Sequence, residues 1–320
     1  MHRTASVIGL GCWQLGADWG DVADDVAMQI LHAAADSGVT FFDTADVYGD
    51  GRSERFIARF LKERKDADIF VATKVGRRAR AQIDSEYSEE NLRAWVHRSL
   101  QNLETDRLDL VQWHCPPTET IKREGMYELF DAMVAEGLIA AYGVSVEEVE
   151  QAELAIAHPN IASVQIIANA FRLKPFETLI PAAAALGVGI IVRVPLASGL
   201  LAAKFSLDSA FAKNDHRNYN RHGDAFDVGE TFSGVPYELG VRAARELGDL
   251  APTGVTPAQA ALRWIIDQQG VATVIPGASS PEQARANAAV ASLAHTSAEY
   301  DAAVHRIYQT EIRQHIHHRW

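Results

Sequence analysis

The sequence is poor in cysteine, and Cys12 and Cys115 are its only two. They form no pattern that would indicate a disulfide framework or a zinc-binding spacing. The C-terminal segment is rich in histidine, at His315, His317 and His318, but no cysteine or carboxylate spacing around it supports a metal site. The sequence therefore predicts no bound metal.

Basic residues are scarce beside acidic ones, because 30 Lys and Arg face 42 Asp and Glu, for a net charge of −12. A general nucleic-acid binder or membrane-surface binder needs a basic face that neutralises phosphates, so we expect neither kind of partner. No apolar run approaches the length of a membrane span, and the N-terminal segment lacks the pattern of a signal peptide. We therefore expect a cytoplasmic protein, and nothing in the sequence indicates its oligomeric state.

Short apolar runs rich in β-branched residues alternate with stretches of helical period along the whole chain. The predicted strands are residues 6–13, 41–43, 69–74, 108–114, 141–145, 163–165, 189–194 and 271–275. The predicted helices are residues 22–37, 53–61, 88–103, 126–135, 147–157, 175–186 and 257–267. Such alternation is typical of parallel βαβ units, and a length of 320 residues suits one large α/β domain.

Two architectures fit this alternation: an open doubly wound sheet and a closed barrel. A doubly wound dinucleotide-binding domain should open with Gly-x-Gly-x-x-Gly, but the first strand–helix turn, which begins at Gly9 and Gly11, has Gln14 at the third glycine position. A barrel instead collects its chemistry at the C-terminal ends of several strands. We therefore predict a single-domain (β/α)8 TIM barrel over residues 1–320, with the irregular stretch 206–236 lying over the active-site face.

Polar residues stand at the ends of three consecutive predicted strands. Asp43 ends the second strand and is followed five residues later by Tyr48, Lys74 ends the third strand, and His114 ends the fourth. Taken singly, each has an ordinary structural explanation, such as a helix cap, a solvated strand end or a packing histidine. Together they favour a catalytic site, because all four would face the same mouth of the barrel.

These residue types suit the reduction of a carbonyl group. Hydride addition leaves negative charge on the carbonyl oxygen, which must be met by a proton and by hydrogen-bond donors. A tyrosine has an ordinary pKa of about 10, and a neighbouring ammonium lowers it. We expect Lys74 to lower the pKa of Tyr48, Asp43 to hold Lys74 in place, and His114 to orient the carbonyl. The constellation favours a proton-transferring oxidoreductase over a hydrolase.

Several segments resemble the aldo-keto reductase family, and they occur in the family's order over nearly the whole chain. They are FFDTADVYGDGRSE, VATKVG, VQWH, AAYGVSVEE and VIPGASSPEQARANAAV. The resemblance is to the bacterial type of the family. It implies the (β/α)8 barrel, an extended NADP(H) across its mouth, and a catalytic tetrad of Asp43, Tyr48, Lys74 and His114, in which Tyr48 is the general acid.

The resemblance also implies most of the predicted cofactor contacts. The full set is Trp13, Asp43, Ser145, Gln165, Arg193, Pro195, Leu196, Ser198, Gly199, Lys204, Gly277, Ser279, Gln283 and Asn287. The last three are spaced four residues apart, on one face of a predicted helix at the adenosine end. Strictly NADPH-dependent members often carry a basic residue where this chain has Gly277 and Gln283. Lys204 or an arginine of the 206–236 stretch could supply that charge, so we expect NADP(H) to be preferred and NAD(H) to be possible.

Arg193 stands where the family often has an aromatic residue that stacks on the nicotinamide. A planar guanidinium also stacks on rings, but its charge would repel the oxidised nicotinamide and favour the reduced cofactor. The alternative interpretation is a strand-end residue paired with an acid of the long loop. We prefer the stacking interpretation.

The sequence thus predicts an NAD(P)H-dependent reductase of small-molecule aldehydes or ketones. Two alternatives stay open: an NAD(P)+-dependent sugar or alcohol dehydrogenase, and a cofactor-binding regulatory subunit like the potassium-channel beta subunits. We expect Trp19 and Trp113 to line an apolar substrate pocket. The substrate itself is not predictable, because specificity depends on loop shape.

Overall fold

Eight parallel strands, paired in chain order, form the centre of the computed structural model, which describes residues 5–16 and 22–320. The strands are β1 (Leu10–Gly11), β2 (Phe41–Asp43), β3 (Phe70–Val75), β4 (Leu110–His114), β5 (Tyr142–Ser145), β6 (Ser163–Ile167), β7 (Gly189–Arg193) and β8 (Val271–Val274). Two isolated parallel bridges, Ile8 to Val274 and Gly11 to Gly277, join the first strand to the last segment. The predicted (β/α)8 barrel is confirmed.

Helices follow the strands and pack on the outside of the barrel. The longer ones are α1 (Asp24–Asp36), α2 (Arg52–Glu63), α3 (Glu89–Leu103), α4 (Thr118–Lys122), α5 (Glu124–Ala135), α6 (Val149–Ile156), α7 (Lys174–Glu177) and α8 (Leu179–Ala185), then α9 (His216–Tyr219), α10 (Tyr237–Asp249), α11 (Pro257–Ile266), α12 (Pro281–Ala288), α13 (Ala298–Ile307) and α14 (Arg313–Ile316). Among the described residues, no helix combines the length and the apolar character that crossing a bilayer requires.

Most elements differ from their predicted bounds by a few residues, and two of the differences have a clear local cause. The first predicted strand, residues 6–13, shrinks to two residues, because the chain turns into a short 3-10 helix (Trp13–Gly16) directly after Cys12. The helix predicted over residues 175–186 breaks into two at Thr178. Pro181 explains the break, since proline has no backbone N–H and its ring clashes with the carbonyl four residues earlier.

The inside of the barrel is apolar at one end and polar at the other. A small core of Phe41, Ala72, Leu110, Ile191 and Ile275 fills the lower part, apart from the larger core between strands and helices. Because side chains of a strand alternate between its two faces, the residue two places further on points inward again. On the second, third and fourth strands and on the seventh, these inward residues are Asp43, Lys74, Gln112 and Arg193.

Candidate active site

The ammonium of Lys74 lies at the centre of the polar layer. Its Nζ donates hydrogen bonds to Asp43 Oδ1 at 2.5 Å, to the Thr44 carbonyl at 2.8 Å and to the Tyr48 hydroxyl at 3.2 Å. These three acceptors match the three N–H donors of an ammonium group. Lys74 is therefore fixed, and the structure brings Asp43, Tyr48 and Lys74 together as predicted.

Asp43 is held from its other side by two amides. Its Oδ2 accepts from Gln165 Nε2 at 2.7 Å and from Gln112 Nε2 at 3.2 Å. Lys74 and Asp43 are 1% and 2% exposed. A buried ion pair is tolerated only when hydrogen bonds satisfy its remaining donors and acceptors, and these two glutamines satisfy the carboxylate.

Burial dominates the titration of Tyr48. It raises the pKa of the phenol, while the Lys74 ammonium lowers it. Lys74 thus lowers the pKa of Tyr48 as expected, but the net shift is upward because burial outweighs the cation. The physical reason is that Asp43 neutralises Lys74, which leaves too little positive field to offset the loss of water. Tyr48 consequently keeps its proton at neutral pH.

The other two titratable groups are shifted toward opposite charge states. Burial lowers the pKa of Lys74, but the Asp43 carboxylate outweighs it and the net pKa is raised, so the ammonium stays charged. Burial and the nearby positive charges of Arg77, Lys74 and Arg193 hold the pKa of His114 well below its ordinary value. His114 is therefore a neutral imidazole, and its ring stands edge-on to that of Tyr48 at a centroid distance of 6.0 Å.

A cavity of about 440 Å³ opens above this group. Its wall includes Tyr48 and His114, whereas Lys74 lies beneath it. All the predicted cofactor contacts line the cavity except Lys204 and Asn287, namely Trp13, Asp43, Ser145, Gln165, Arg193, Pro195, Leu196, Ser198, Gly199, Gly277, Ser279 and Gln283. Twelve further lining residues had not been singled out for the site: Gly11, Cys12, Gln14, Val47, Arg77, Val194, Arg217, Tyr219, Phe226, Glu230, Ile275 and Pro276.

The predicted adenosine end is arranged differently from a simple helix face. Gln283 Oε1 accepts from the Ser279 backbone N–H at 2.7 Å, and Asn287 Nδ2 donates to the Gly277 carbonyl at 3.1 Å. Asn287 lies one helical turn beyond Gln283 in α12, and its side chain thus stabilises the Gly277–Ser279 turn without lining the cavity. Lys204 is exposed and outside the cavity wall. Arg217 of the 206–236 stretch does line the cavity.

Arg193 makes the contacts expected of a strand-end residue that pairs with an acid of the long loop, which was the alternative to stacking on the nicotinamide. Its guanidinium pairs with Glu230, an acid of the 206–236 stretch, and donates to Glu147 Oε2 at 3.0 Å and to the Val146 carbonyl at 2.9 Å. The side chain is nevertheless part of the cavity wall. Stacking on a nicotinamide stays a prediction, but two carboxylates now oppose the charge that was expected to repel the oxidised ring.

Glu147 joins Arg193 to a second arginine. Arg77 Nη2 donates to Glu147 Oε1 at 3.1 Å, so Arg77, Glu147, Arg193 and Glu230 form one connected charged cluster at the cavity rim. Burial lowers the pKa of Arg193, but Glu230 and Glu147 outweigh it and the net pKa lies well above its ordinary value. Burial raises the pKa of the Glu230 carboxyl, and the Arg193 guanidinium opposes that rise. The net pKa of Glu230 is raised, and Arg193 stays charged.

The 206–236 stretch packs over the cavity through aromatic residues. The ring of Trp13 lies 5.3 Å from His216 and 5.9 Å from Phe226, and it also stacks on Tyr48 at 6.0 Å. From outside, Trp320 Nε1 donates to Asp227 Oδ1 at 3.0 Å. The barrel thus contributes the catalytic group, while this stretch closes one side of the cavity above it.

Of the two tryptophans expected in the substrate pocket, Trp113 lies elsewhere and the prediction for Trp19 is untested. Trp113 is fully buried against Tyr127 and Phe130 on the outer side of β4, because the strand alternation that turns His114 inward turns its neighbour outward. Trp19 lies outside the described residues. Trp13 and Phe226 supply the large aromatic surface of the cavity instead.

One group of possible metal ligands exists among the described residues. Cys115, Glu147 and Glu230 have ligand atoms within 4.8 Å of one another. Arg193 already binds both carboxylates, and burial raises the pKa of the Cys115 thiol to about 11. A metal would need a thiolate and free carboxylates here. The contacts favour an arginine–glutamate cluster over a metal centre.

Comparison with known proteins agrees with this geometry. The model of the aldo/keto reductase family matches residues 7–307. The chain belongs to this family. Aldo-keto reductase YhdN of Bacillus subtilis is 32% identical over 290 residues, which cover 88% of this chain and 84% of that protein. The family assignment makes the chain an oxidoreductase that acts on carbonyl or alcohol groups.

Solved aldo/keto reductase structures share the barrel. The glycerol dehydrogenase AKR11B4 from Gluconobacter oxydans superposes with a TM-score of 0.75 at 28% identity, covering 99% of this chain and 94% of that one. The holo form of aldo-keto reductase AKR11C1 from Bacillus halodurans gives a TM-score of 0.73 at 25% identity, with 95% and 92% covered. The likeness extends over the whole barrel in both cases.

Sequence reasoning had missed part of this aldo/keto reductase's cavity wall. Arg77 could have been found, because it follows Lys74 by three residues at the end of the same strand. Arg217, Tyr219, Phe226 and Glu230 carried no such signal, since they lie in the long stretch without a regular period.

Proposed function

We propose that this aldo/keto reductase reduces aldehydes or ketones with NADPH, and that Tyr48 is the general acid. The observation that carries the proposal is the hydrogen bond from the buried Lys74 ammonium to the Tyr48 hydroxyl, at the floor of a cavity that His114 also lines. A proton-bearing phenol and a neutral imidazole are two donors suited to one carbonyl oxygen.

NADP(H) is the cofactor that we propose for the cavity. A volume of about 440 Å³ is typical of small-molecule sites, and the wall runs from the tetrad to the Gly277–Ser279 turn. Ser145 and Gln165 would hold the nicotinamide, Ser198 and Gly199 the middle of the cofactor, and Gln283 the adenosine end. The backbone at Ser198 and Gly199 has φ of 55° and 94°, and this left-handed turn brings both residues to the cavity wall.

In the proposed reaction, bound NADPH supplies the hydride to the carbonyl carbon. Tyr48 and His114 hold the carbonyl oxygen, and the Tyr48 proton passes to that oxygen, so that the product is an alcohol. Lys74 stabilises the phenolate that remains, and Asp43 keeps Lys74 charged and immobile through its 2.5 Å contact. Asp43 is a positioning residue in this scheme.

The reverse direction, oxidation of an alcohol or sugar with NADP+, is the second candidate. The likeness to a glycerol dehydrogenase favours it, and the same tetrad would serve with Tyr48 as the base. A purely regulatory, cofactor-binding subunit is the third. The complete Asp43–Lys74–Tyr48 hydrogen-bond chain favours the two enzymatic candidates over it.

The test is turnover measured in both directions. Purified protein is assayed with a panel of neutral aldehydes and ketones and NADPH or NADH, and with polyols and sugars and NADP+ or NAD+. The proposal predicts faster NADPH-dependent reduction than alcohol oxidation at neutral pH. Oxidation that dominates at the same pH would favour the dehydrogenase, and no turnover despite measurable cofactor binding would favour the regulatory subunit.

A further inference from the structure

We propose that the substrate of this reductase carries a carboxylate and that Arg77 binds it. The inference rests on the proposed function and names its substrate class: an oxo acid, with the carboxylate a few bonds from the carbonyl that is reduced. In the reaction, the carbonyl carbon accepts the hydride, its oxygen accepts the Tyr48 proton, and the carboxylate stays unchanged. Arg77 is thus a specificity residue, separate from the tetrad.

Arg77 lies at the cavity with most of its donors unused. Its guanidinium can donate five hydrogen bonds, but the side-chain partners that the structure gives it are Glu147 and the Cys115 sulfur. Its Nε is buried and has no partner among the described residues. The side chain is 26% exposed and lines the cavity, so its Nη donors can meet an acceptor that arrives with a ligand.

Arg77 also shares its carboxylate partner with another arginine. Glu147 is shared between Arg77 and Arg193, and Glu230 pairs with Arg193. Of the charged cluster, Arg77, Arg193 and Glu230 line the cavity, so the wall carries two positive groups and one negative group there. This local excess contrasts with a whole-chain charge of −12. The four-group cluster is neutral as a whole, and the positive excess is confined to the groups that face the cavity.

Arg217, a second arginine of the cavity wall, differs from Arg77 because it has a bidentate carboxylate partner. Arg217 Nε and Nη2 both donate to Asp215, at 2.9 and 2.5 Å, and its guanidinium lies 4.6 Å from the ring of Phe211. Arg217 therefore has its own bidentate carboxylate, which Arg77 lacks. A planar carboxylate is the acceptor that matches the free edge of a guanidinium.

The position of Arg77 favours the substrate over the cofactor as its ligand. Arg77 follows β3, whereas the Gly277–Ser279 turn, where the adenosine end is proposed, follows β8. Around the barrel these strands are separated by β1 and β2. Arg77 instead lies near His114, since its charge lowers the pKa of that imidazole. It therefore faces the reacting end of the cavity.

The test compares matched aldehydes that differ only in charge. The probes are 3- and 4-carboxybenzaldehyde and their methyl esters, assayed with NADPH. We expect the better carboxylate isomer to have a kcat/KM about ten-fold or more above its ester, as one charged hydrogen-bond pair provides. Arg77→Gln should abolish that ratio mainly through a higher KM for the carboxylate, and Arg77→Lys should keep part of the ratio.

The neighbouring arginine is the matched control. Arg78 is exposed and pairs with Asp50, outside the cavity wall, so Arg78→Gln should leave the ratio at its wild-type value. Calorimetry adds a measurement without turnover: 4-(hydroxymethyl)benzoate and its methyl ester are titrated into the NADPH-loaded wild type and variants. The acid should bind about ten-fold tighter in the wild type and in Arg78→Gln, and equally to the ester in Arg77→Gln.

Each negative outcome of these experiments has a distinct interpretation. Esters reduced without any carboxylate preference would overturn the Arg77 proposal and leave the reductase function intact. A preference that survives Arg77→Gln, or an Arg77→Gln variant whose NADPH dissociation constant rises, would also overturn it, because the carboxylate would bind elsewhere or Arg77 would contact the cofactor. If no aldehyde or ester is reduced, the proposed function fails. Should Arg77→Gln not fold, the wild-type ratio and Arg77→Lys still decide.

Discussion

The tetrad and the charged cluster lie in the same cavity, but the chain builds them in different ways. Asp43, Lys74 and His114 stand at inward positions at the ends of consecutive strands, where the pleat determines their direction. The charged cluster joins Arg193 at the end of β7 to Glu147 in the loop after β5 and to Glu230 in the 206–236 stretch. The strands of the barrel thus position the catalytic side chains, whereas loops supply the carboxylates that pair with Arg193.

The largest effect should come from replacing Lys74, which lies at the centre of the catalytic side chains positioned by the strands. Lys74→Met removes the cation that lowers the pKa of Tyr48, so that pKa should rise further. The rate falls at alkaline pH when Tyr48 loses its proton, and the alkaline limb of the kcat profile should therefore move upward or leave the accessible range. We expect kcat to fall about 10²-fold or more. Lys62→Met, at an exposed lysine, is the control; an unchanged profile in Lys74→Met would mean that Lys74 only packs.

The burial of His216 in the 206–236 stretch should make the free energy of unfolding depend on pH. His216 of the 206–236 stretch is buried, and burial lowers its pKa to about 3. Its folded form is neutral while the unfolded form binds a proton below about pH 6.5, so stability is lost as pH falls from 6.5 toward 3. The wild type should lose about 1–2 kcal/mol more unfolding free energy than His216→Gln between pH 6.5 and 5. Denaturant unfolding at both pH values measures this.

The exposed His97 of α3 provides the control for that comparison. His97→Gln should follow the wild-type pH dependence. Equal losses in the wild type and in His216→Gln would show that the histidine does not stay neutral in the fold, and that its packing on Trp13 is looser than the 5.3 Å ring distance implies.

A smaller effect should follow from unbalancing the charged cluster. Glu230→Gln removes one of the two carboxylates that oppose Arg193, so more positive charge would face an oxidised nicotinamide. Like charges at 4 Å repel by about 1 kcal/mol even with water-like screening, so the preference for NADPH over NADP+ should increase about five-fold. Dissociation constants from fluorescence quenching measure it, with Glu238→Gln on α10 as the control. A ratio that stays constant would place Arg193 away from the nicotinamide.

The smallest effect is expected at Lys204. It is exposed and outside the cavity wall, so Lys204→Gln should change the NADPH dissociation constant less than about two-fold, as is usual for surface charges. A weakening of binding that is confined to NADPH and absent for NADH would show that Lys204 reaches the 2′-phosphate after all.

This contrast also explains which features were predictable from the sequence. The bounds of β2 were predicted to the residue, and Asp43, Lys74 and His114 were placed correctly, because a strand fixes the direction of each side chain. The lowering effect of Lys74 on the Tyr48 pKa was predicted correctly, but the net upward shift was not, since it depends on how far burial outweighs the cation. Glu230 was not predictable, because a partner 37 residues away in an irregular loop leaves no periodic signal.

The most direct test of the account is the substitution Tyr48→Phe, with turnover and cofactor binding measured on the same preparation. The hydroxyl supplies the proton but is not needed at the adenosine end, so the account predicts that kcat for the best neutral aldehyde falls about 10²–10⁴-fold while the NADPH dissociation constant changes less than about two-fold. Retention of more than about a tenth of the wild-type kcat would contradict the general-acid role of Tyr48.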